Sequence, residues 1–256
     1  MKKSLLFLPV LLLMPLCPAG NGQSPPVALA DDPFIAAVEA MKHSVAPLAC
    51  LTLKGEDSTS LSRMGSAFFV TARGDFLTAA HVLAEMQKRE RQCPVAAIIL
   101  PKQGYQPKTL NEPAGWFPFQ INSCMVNRVL DVAECRSIAD LTKLLPDARI
   151  TPVQFDWSIP PDGTQVAFTG FPFDSRDPMT LRAGVAAYRP IWRNEKAIDE
   201  VALDRGAWPG FSGSPVFRAD GRVVGIVIKG LLDDRAQMAF FRPIAEIRLM
   251  LPRRPE

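Results

Sequence analysis

From Gly65 onward the chain is divided into short apolar runs by glycine and proline, and that spacing restricts its fold more than any other feature. The runs are Gly65 to Val70, Phe76 to Thr78, Val95 to Leu100, Phe117 to Leu130, Gln165 to Thr169, Val185 to Pro190, Pro215 to Phe217, Val223 to Ile228 and Met238 to Phe241. Few stretches between them carry the 3.6-residue apolar spacing of an amphipathic helix. Recurrent short strands with turn residues between them predict an all-β sandwich or barrel rather than alternating βα units. At 256 residues and 48% hydrophobic, the chain can bury the core of one large all-β domain or of two small barrels. Ser158 to Gly163, rich in proline, is a natural crossing point between halves spanning about 46–155 and 160–242.

Three segments read as helices instead. Asp31-Asp32-Pro33 is an acidic helix start, with proline where a missing amide hydrogen costs least, and Phe34, Ala37, Val38 and Met41 then share one face of a helix reaching Val45. The segment after His81 through about Arg91 and a C-terminal stretch, Ile244 to Leu251, are the other two.

At the N-terminus, Lys2 and Lys3 precede an apolar run from Leu5 to Cys17 that is too short to span a bilayer and leads into a Pro/Gly/Ser-rich segment. This predicts a secretory signal peptide within residues 1–30, with cleavage after Ala19 or Ala30 and residues 31–256 as the mature chain. The expected location is periplasmic or secreted, with no stable membrane association after cleavage. Export leaves Cys50, Cys93, Cys124 and Cys135, which allow two disulfides in any of three pairings, or buried free thiols. No His/Cys spacing points to a metal. The formal charge of +3 is dispersed, with only a small Lys88-Arg89-Glu90-Arg91 cluster and an Arg253-Arg254 tail, so nucleic acid is not an expected partner.

Two motifs carry chemistry. In Gly210-Phe211-Ser212-Gly213-Ser214-Pro215, a serine is flanked by glycines ahead of a strand-like run, a turn suited to presenting a nucleophile. Alone, such a turn is ordinary surface loop. In Thr78-Ala79-Ala80-His81, a hairpin strand ends in small residues just before a histidine, so that its loop can pack tightly and hold a general base. Only two histidines exist, and the other, His43, falls in the N-terminal helix before the strand-rich region begins.

Thr78-Ala79-Ala80-His81 resembles the histidine motif of trypsin-like (chymotrypsin-fold) serine proteases, and Gly210 to Pro215 resembles their serine motif. The chain order, histidine then acid then serine, is also the chymotrypsin order, and the resemblance covers most of residues 45 to 250. It implies two packed six-stranded β-barrels with short N- and C-terminal helices. Ala239-Phe240-Phe241-Arg242-Pro243 and the helix after it resemble the end of the protease domain in the bacterial HtrA-like branch. With the sequence ending at Glu256, a stand-alone protease domain without a PDZ domain is expected.

What the resemblance implies for function is peptide-bond hydrolysis through an acyl-enzyme, with protein or peptide substrates and no cofactor. Ser212 would be the nucleophile, His81 the base, and the amides of Gly210 and Ser212 the oxyanion hole. Asp131, in Val129-Leu130-Asp131-Val132-Ala133, resembles the family's acid motif, where a strand begins just after the carboxylate; Asp140 is the rival. Gly206 would floor the side-chain pocket, and Ile228, Lys229 and Gly230 would line the substrate cleft. With glycine at the pocket floor, a small or medium apolar side chain is expected rather than Lys or Arg. Phe211, where digestive members carry an aspartate, implies that a new amino terminus does not activate this chain. A catalytically inactive fold of the same type, binding peptide strands, and an esterase using the same triad are the alternatives.

Overall fold

The computed structural model describes residues 32–53, 59–88, 93–101, 115–137, 140–144, 150–172, 175–193, 195–232 and 237–248. The expected signal peptide lies outside these residues, as do the ends of the second and third expected helices.

Two closed six-stranded barrels make up the described chain. The first contains β1 (Val45–Leu53), β2 (Thr59–Phe69), β3 (Phe76–Ala79), β4 (Val95–Pro101), β5 (Trp116–Asn127) and β6 (Val132–Ser137), in the order β1-β2-β3-β6-β5-β4. The second contains β7 (Gln165–Gly170), β8 (Met179–Arg193), β9 (Lys196–Leu203), β10 (Pro215–Phe217), β11 (Val223–Leu232) and β12 (Gln237–Pro243), in the order β10-β11-β12-β9-β8-β7. Four helices accompany them: α1 (Pro33–Lys42), α2 (Ala80–Lys88), α3 (Leu141–Leu144) and α4 (Ile244–Ile247).

The apolar runs lack the alternation of a half-exposed strand because many strands are covered on both faces. Phe68 packs into a cluster shared between the barrels, and its neighbour Phe69 packs into the first barrel's interior, both fully buried. Val216 and Phe217 divide in the same way between the second barrel's interior and the shared cluster. That shared cluster also takes Phe34, Ala37 and Met41 from α1 and Ile244 and Ile247 from α4, so the two terminal helices close the seam between the barrels. Helix α1 ends at Lys42, earlier than its apolar spacing implied, because Val45 is drawn into pairing with Phe68 on β2. Asp32 accepts a hydrogen bond from the Phe34 amide at 3.0 Å and so caps the helix ahead of Pro33.

Of the three cysteine pairings open on sequence, Cys50–Cys93 and Cys124–Cys135 form. The first ties β1 to the segment entering β4, and the second crosses the β5–β6 hairpin, where the two residues are register partners.

Strand β9 is the element least visible in the sequence. Its segment, Lys-Ala-Ile-Asp-Glu-Val-Ala-Leu, carries charges where a core strand should be apolar, yet Glu200 is completely buried. Arg189 on the adjoining β8 and Lys229 on β11 reach its Oε1 at 2.7 and 3.0 Å. The buried charge is therefore partnered across strands, a condition that local patterning does not reveal.

Candidate active site

Register brings the histidine and one of the two candidate acids to the same end of the first barrel. Strand β3 pairs with β6 so that Thr78 faces Ala133 and Ala79 faces Val132, which leaves Ala80-His81 beside Asp131. The Asp131 carbonyl accepts the Ala80 amide at 3.1 Å, and its side chain spans the next residue. Oδ1 accepts the His81 amide at 2.9 Å and Oδ2 lies 2.8 Å from His81 Nδ1. A carboxylate facing Nδ1 selects the tautomer protonated there and leaves Nε2 as a proton acceptor. The imidazole is about half exposed, at 45%, while the aspartate side chain is 15% exposed, so the acid sits behind the ring and the ring faces outward.

Asp131 adopts a left-handed backbone conformation, φ +59°, which costs a non-glycine residue roughly 1–2 kcal/mol. It closes the turn between β5 and β6, whose form is templated by Asn127: its Oδ1 accepts both the Val129 and Leu130 amides at 3.0 Å. Asp140 lies elsewhere. It precedes α3, where the Leu141 amide donates to the Arg73 carbonyl and Leu141 packs over Gly74, at the opposite end of β3 from His81.

The serine loop lies between β9 and β10 and is held by its own backbone. The Trp208 carbonyl accepts the Phe211 amide, and the Phe211 carbonyl accepts that of Ser214. Gly210 and Gly213 stand at φ +99° and +89°, conformations that favour glycine. Phe211 is fully buried, edge-on to Phe168 with ring centroids 5.0 Å apart, and anchors the loop in the second barrel. Trp208 packs against the same cluster. The Gly213 amide donates to Val227 and the Val227 amide to Ser214, so β11 braces the loop from behind.

Ser66, a residue that the sequence motifs did not single out, fastens this loop to the first barrel. Its amide donates to the Ser212 carbonyl at 2.8 Å; its hydroxyl donates to the Gly210 carbonyl at 2.7 Å while accepting the Phe171 amide at 2.9 Å. The approach is close enough to demand glycines on both sides. A Cβ on Gly213 would stand 2.0 Å from the Ser66 carbonyl oxygen and 3.1 Å from the Ala79 nitrogen. One on Gly65 would stand 2.8 Å from a Val82 methyl and 3.0 Å from the Ser212 carbonyl oxygen. Ser212 and His81 are thus brought to the two sides of one crowded seam. The one local hint in the sequence was the small pair Gly65-Ser66 standing within β2 just ahead of Phe68-Phe69.

Among the described residues, the Gly210 and Ser212 amides meet no carbonyl, unlike those of Phe211, Gly213 and Ser214. Gly206 and Ala207 are buried beside the loop, and Gly230 crosses them so closely that a Cβ there would come within 2.1 Å of the Ala207 carbonyl oxygen. The side chain of Ile228 is packed with Ala202 and Phe240 in the second barrel, leaving its backbone as what it can offer a ligand. Lys229 projects over the Phe240 ring, 4.6 Å from its centroid, on its way to Glu200.

Comparison with known proteins matches residues 65–226 to the family model of the trypsin-like peptidase domain. Solved structures with the same fold include the active form of the Rv3671c protease from M. tuberculosis, at 19% identity and a TM-score of 0.58, covering 94% of this chain and 91% of that one. The MamO protease domain from Magnetospirillum magneticum aligns at 17% identity and a TM-score of 0.59, over 84% and 99% of the two chains. The HtrA-type protease AlgW, in a structure with a decapeptide, aligns at 16% identity and a TM-score of 0.59, over 82% and 63%. No curated protein matches the sequence.

Proposed function

Because the chain belongs to the trypsin-like peptidase family, we propose that it is an exported serine endopeptidase working through Ser212, His81 and Asp131. The observation that carries this reading is the pair of hydrogen bonds that the Asp131 carboxylate accepts from the amide and ring of His81, set against a serine loop clamped to the same seam. In this mechanism the Ser212 hydroxyl attacks the scissile carbonyl while His81 Nε2 takes its proton, and the imidazolium is stabilised by Asp131. The developing oxyanion is received by the amides of Gly210 and Ser212, a site where one lost donor costs about 3 kcal/mol. His81 then protonates the leaving amine. Water, activated by the same imidazole, releases the acid product.

Glycine at position 206 supplies no carboxylate for a basic side chain, which favours substrates with small or medium apolar residues at the cleavage site. Two disulfides among the described residues fit an oxidising compartment and support export to the periplasm or beyond. Among the described residues, no helix is long and apolar enough to cross a membrane.

The test is cleavage of a peptide library by residues 31–256 purified with both disulfides formed. Peptide-bond hydrolysis that disappears in Ser212→Ala supports the reading. Binding of peptides without cleavage by the parent chain contradicts it and favours the inactive binding module, whereas cleavage of esters but not amides favours the esterase.

A further inference from the structure

The residue just before Asp131 is held from the opposite barrel by a buried cation. Arg242, on β12, has no solvent exposure, and its Nε donates to the Leu130 carbonyl at 3.0 Å. Its Nη1 donates to the Asp199 carbonyl on β9, and its Nη2 lies 4.0 Å from Glu200 Oε2. Glu200 is itself completely buried and held by Arg189 and Lys229. The guanidinium is thus fixed at one end by the second barrel's wall and applied at the other to the turn that presents the acid.

That turn needs restraint. Asp131 stands at φ +59°, and a residue in this region persists only where its surroundings over-determine it. Asn127 supplies one restraint from within the hairpin, through the Val129 and Leu130 amides. The Leu130 carbonyl belongs to the next peptide, the one that enters Asp131, and it accepts from Arg242. A full charge buried in a seam otherwise built of apolar side chains is costly and needs partners at every point. Directing one donor of such a group across the seam at the Leu130 carbonyl makes sense if the position of the next residue matters.

We propose that Arg242 is a positioning residue: by gripping Leu130 from the second barrel, it sets the turn that aims Asp131 at His81 and couples the acid to the correct docking of the two barrels. This rests on the triad reading above.

The experiment compares the parent with Arg242→Lys, which keeps the charge opposite Glu200 but cannot hold Leu130 and Asp199 together. Three readouts are taken: thermal unfolding, kcat and KM on a cleaved peptide, and the His81 Nδ1 proton resonance followed by NMR. A displaced acid is expected to lower kcat on the order of 10- to 100-fold with KM changed little. It is also expected to move the Nδ1 proton resonance upfield, because that proton loses part of its carboxylate acceptor. A variant that melts earlier but keeps the parent kcat and Nδ1 resonance overturns the proposal and leaves Arg242 a stabilising residue only. If Arg242→Lys does not fold, Asn127→Ala loosens the same turn without touching the second barrel: a parent-like Nδ1 resonance there overturns the proposal, and an upfield one supports it. An inactive parent sinks the triad reading instead, and the Nδ1 resonance still reports on the turn.

Discussion

Asp131 is defined by three bonds made within two residues of chain: its carbonyl takes Ala80, and its two carboxylate oxygens take the amide and the ring of His81. Replacing it by asparagine keeps the shape but reverses the hydrogen-bonding demand on Nδ1, so Asp131→Asn should lower kcat by about 10⁴-fold. Asp140→Asn should leave kcat at the parent value, since that residue lies at the far end of β3; peptidase assays on the two variants separate them. Gly213→Ala should abolish both activity and the native serine loop, because its methyl would meet the Ser66 carbonyl at 2.0 Å from a φ of +89°. A soluble, fully active Gly213→Ala would contradict the loop geometry. At this scale His81 and Ser212 stand out as candidates because they sit in short motifs with distinctive neighbours. The sequence left Asp131 beside a rival because an aspartate's partner is set by strand register. Ser66 escaped notice because its role is to bond backbone 144 and 146 residues away, which no local pattern encodes.

Strands legible as apolar runs are those buried on both faces, such as Phe68-Phe69 on β2 and Val216-Phe217 on β10. Strand β9 was not legible because its Glu200 is made tolerable by Arg189 on β8 and Lys229 on β11, residues distant in sequence. The disulfides show the same limit: pairing depends on which elements meet, and Cys124 meets Cys135 only because β5 and β6 pair in that register. The closed segments, 43 residues for Cys50–Cys93 and 11 for Cys124–Cys135, give chain-entropy contributions of about 4 and about 3 kcal/mol. Replacing both Cys50 and Cys93 by alanine should therefore lower the urea midpoint more than replacing Cys124 and Cys135; the reverse order would show that loop closure is not what these bridges chiefly contribute.

Seen as a whole, the molecule is two barrels whose seam is mostly apolar, with the Glu200–Arg242 group as its ionic element. Burial alone would push the Glu200 carboxyl up, but hydrogen bonds from Arg189 and Lys229, together with their charges, outweigh it and hold the group below the ordinary glutamate value of 4.5. A carboxyl with a depressed folded-state pKa contributes stability that is fully present above its unfolded value and is lost as the pH falls through the folded one. Glu200→Gln should thus destabilise the protein near neutral pH by about 2 kcal/mol, less than for a fully buried pair because Arg189 and Lys229 are half exposed. The gap between parent and variant should narrow as the pH falls below 4.5, which denaturant titrations at several pH values would read. A gap that is constant down to strongly acid pH would mean that the carboxylate charge is not what holds this part of the seam.

The central claim is that the seam between the barrels presents an activated Ser212, and reaction with a serine-directed phosphonate tests it most directly. Incubated with the disulfide-bonded mature chain and located by mass spectrometry, the phosphonate should attach at Ser212 alone, and attachment should be lost in His81→Ala. Failure of the folded parent to take the label under conditions that label trypsin, or labelling unaffected by the loss of His81, would contradict the account.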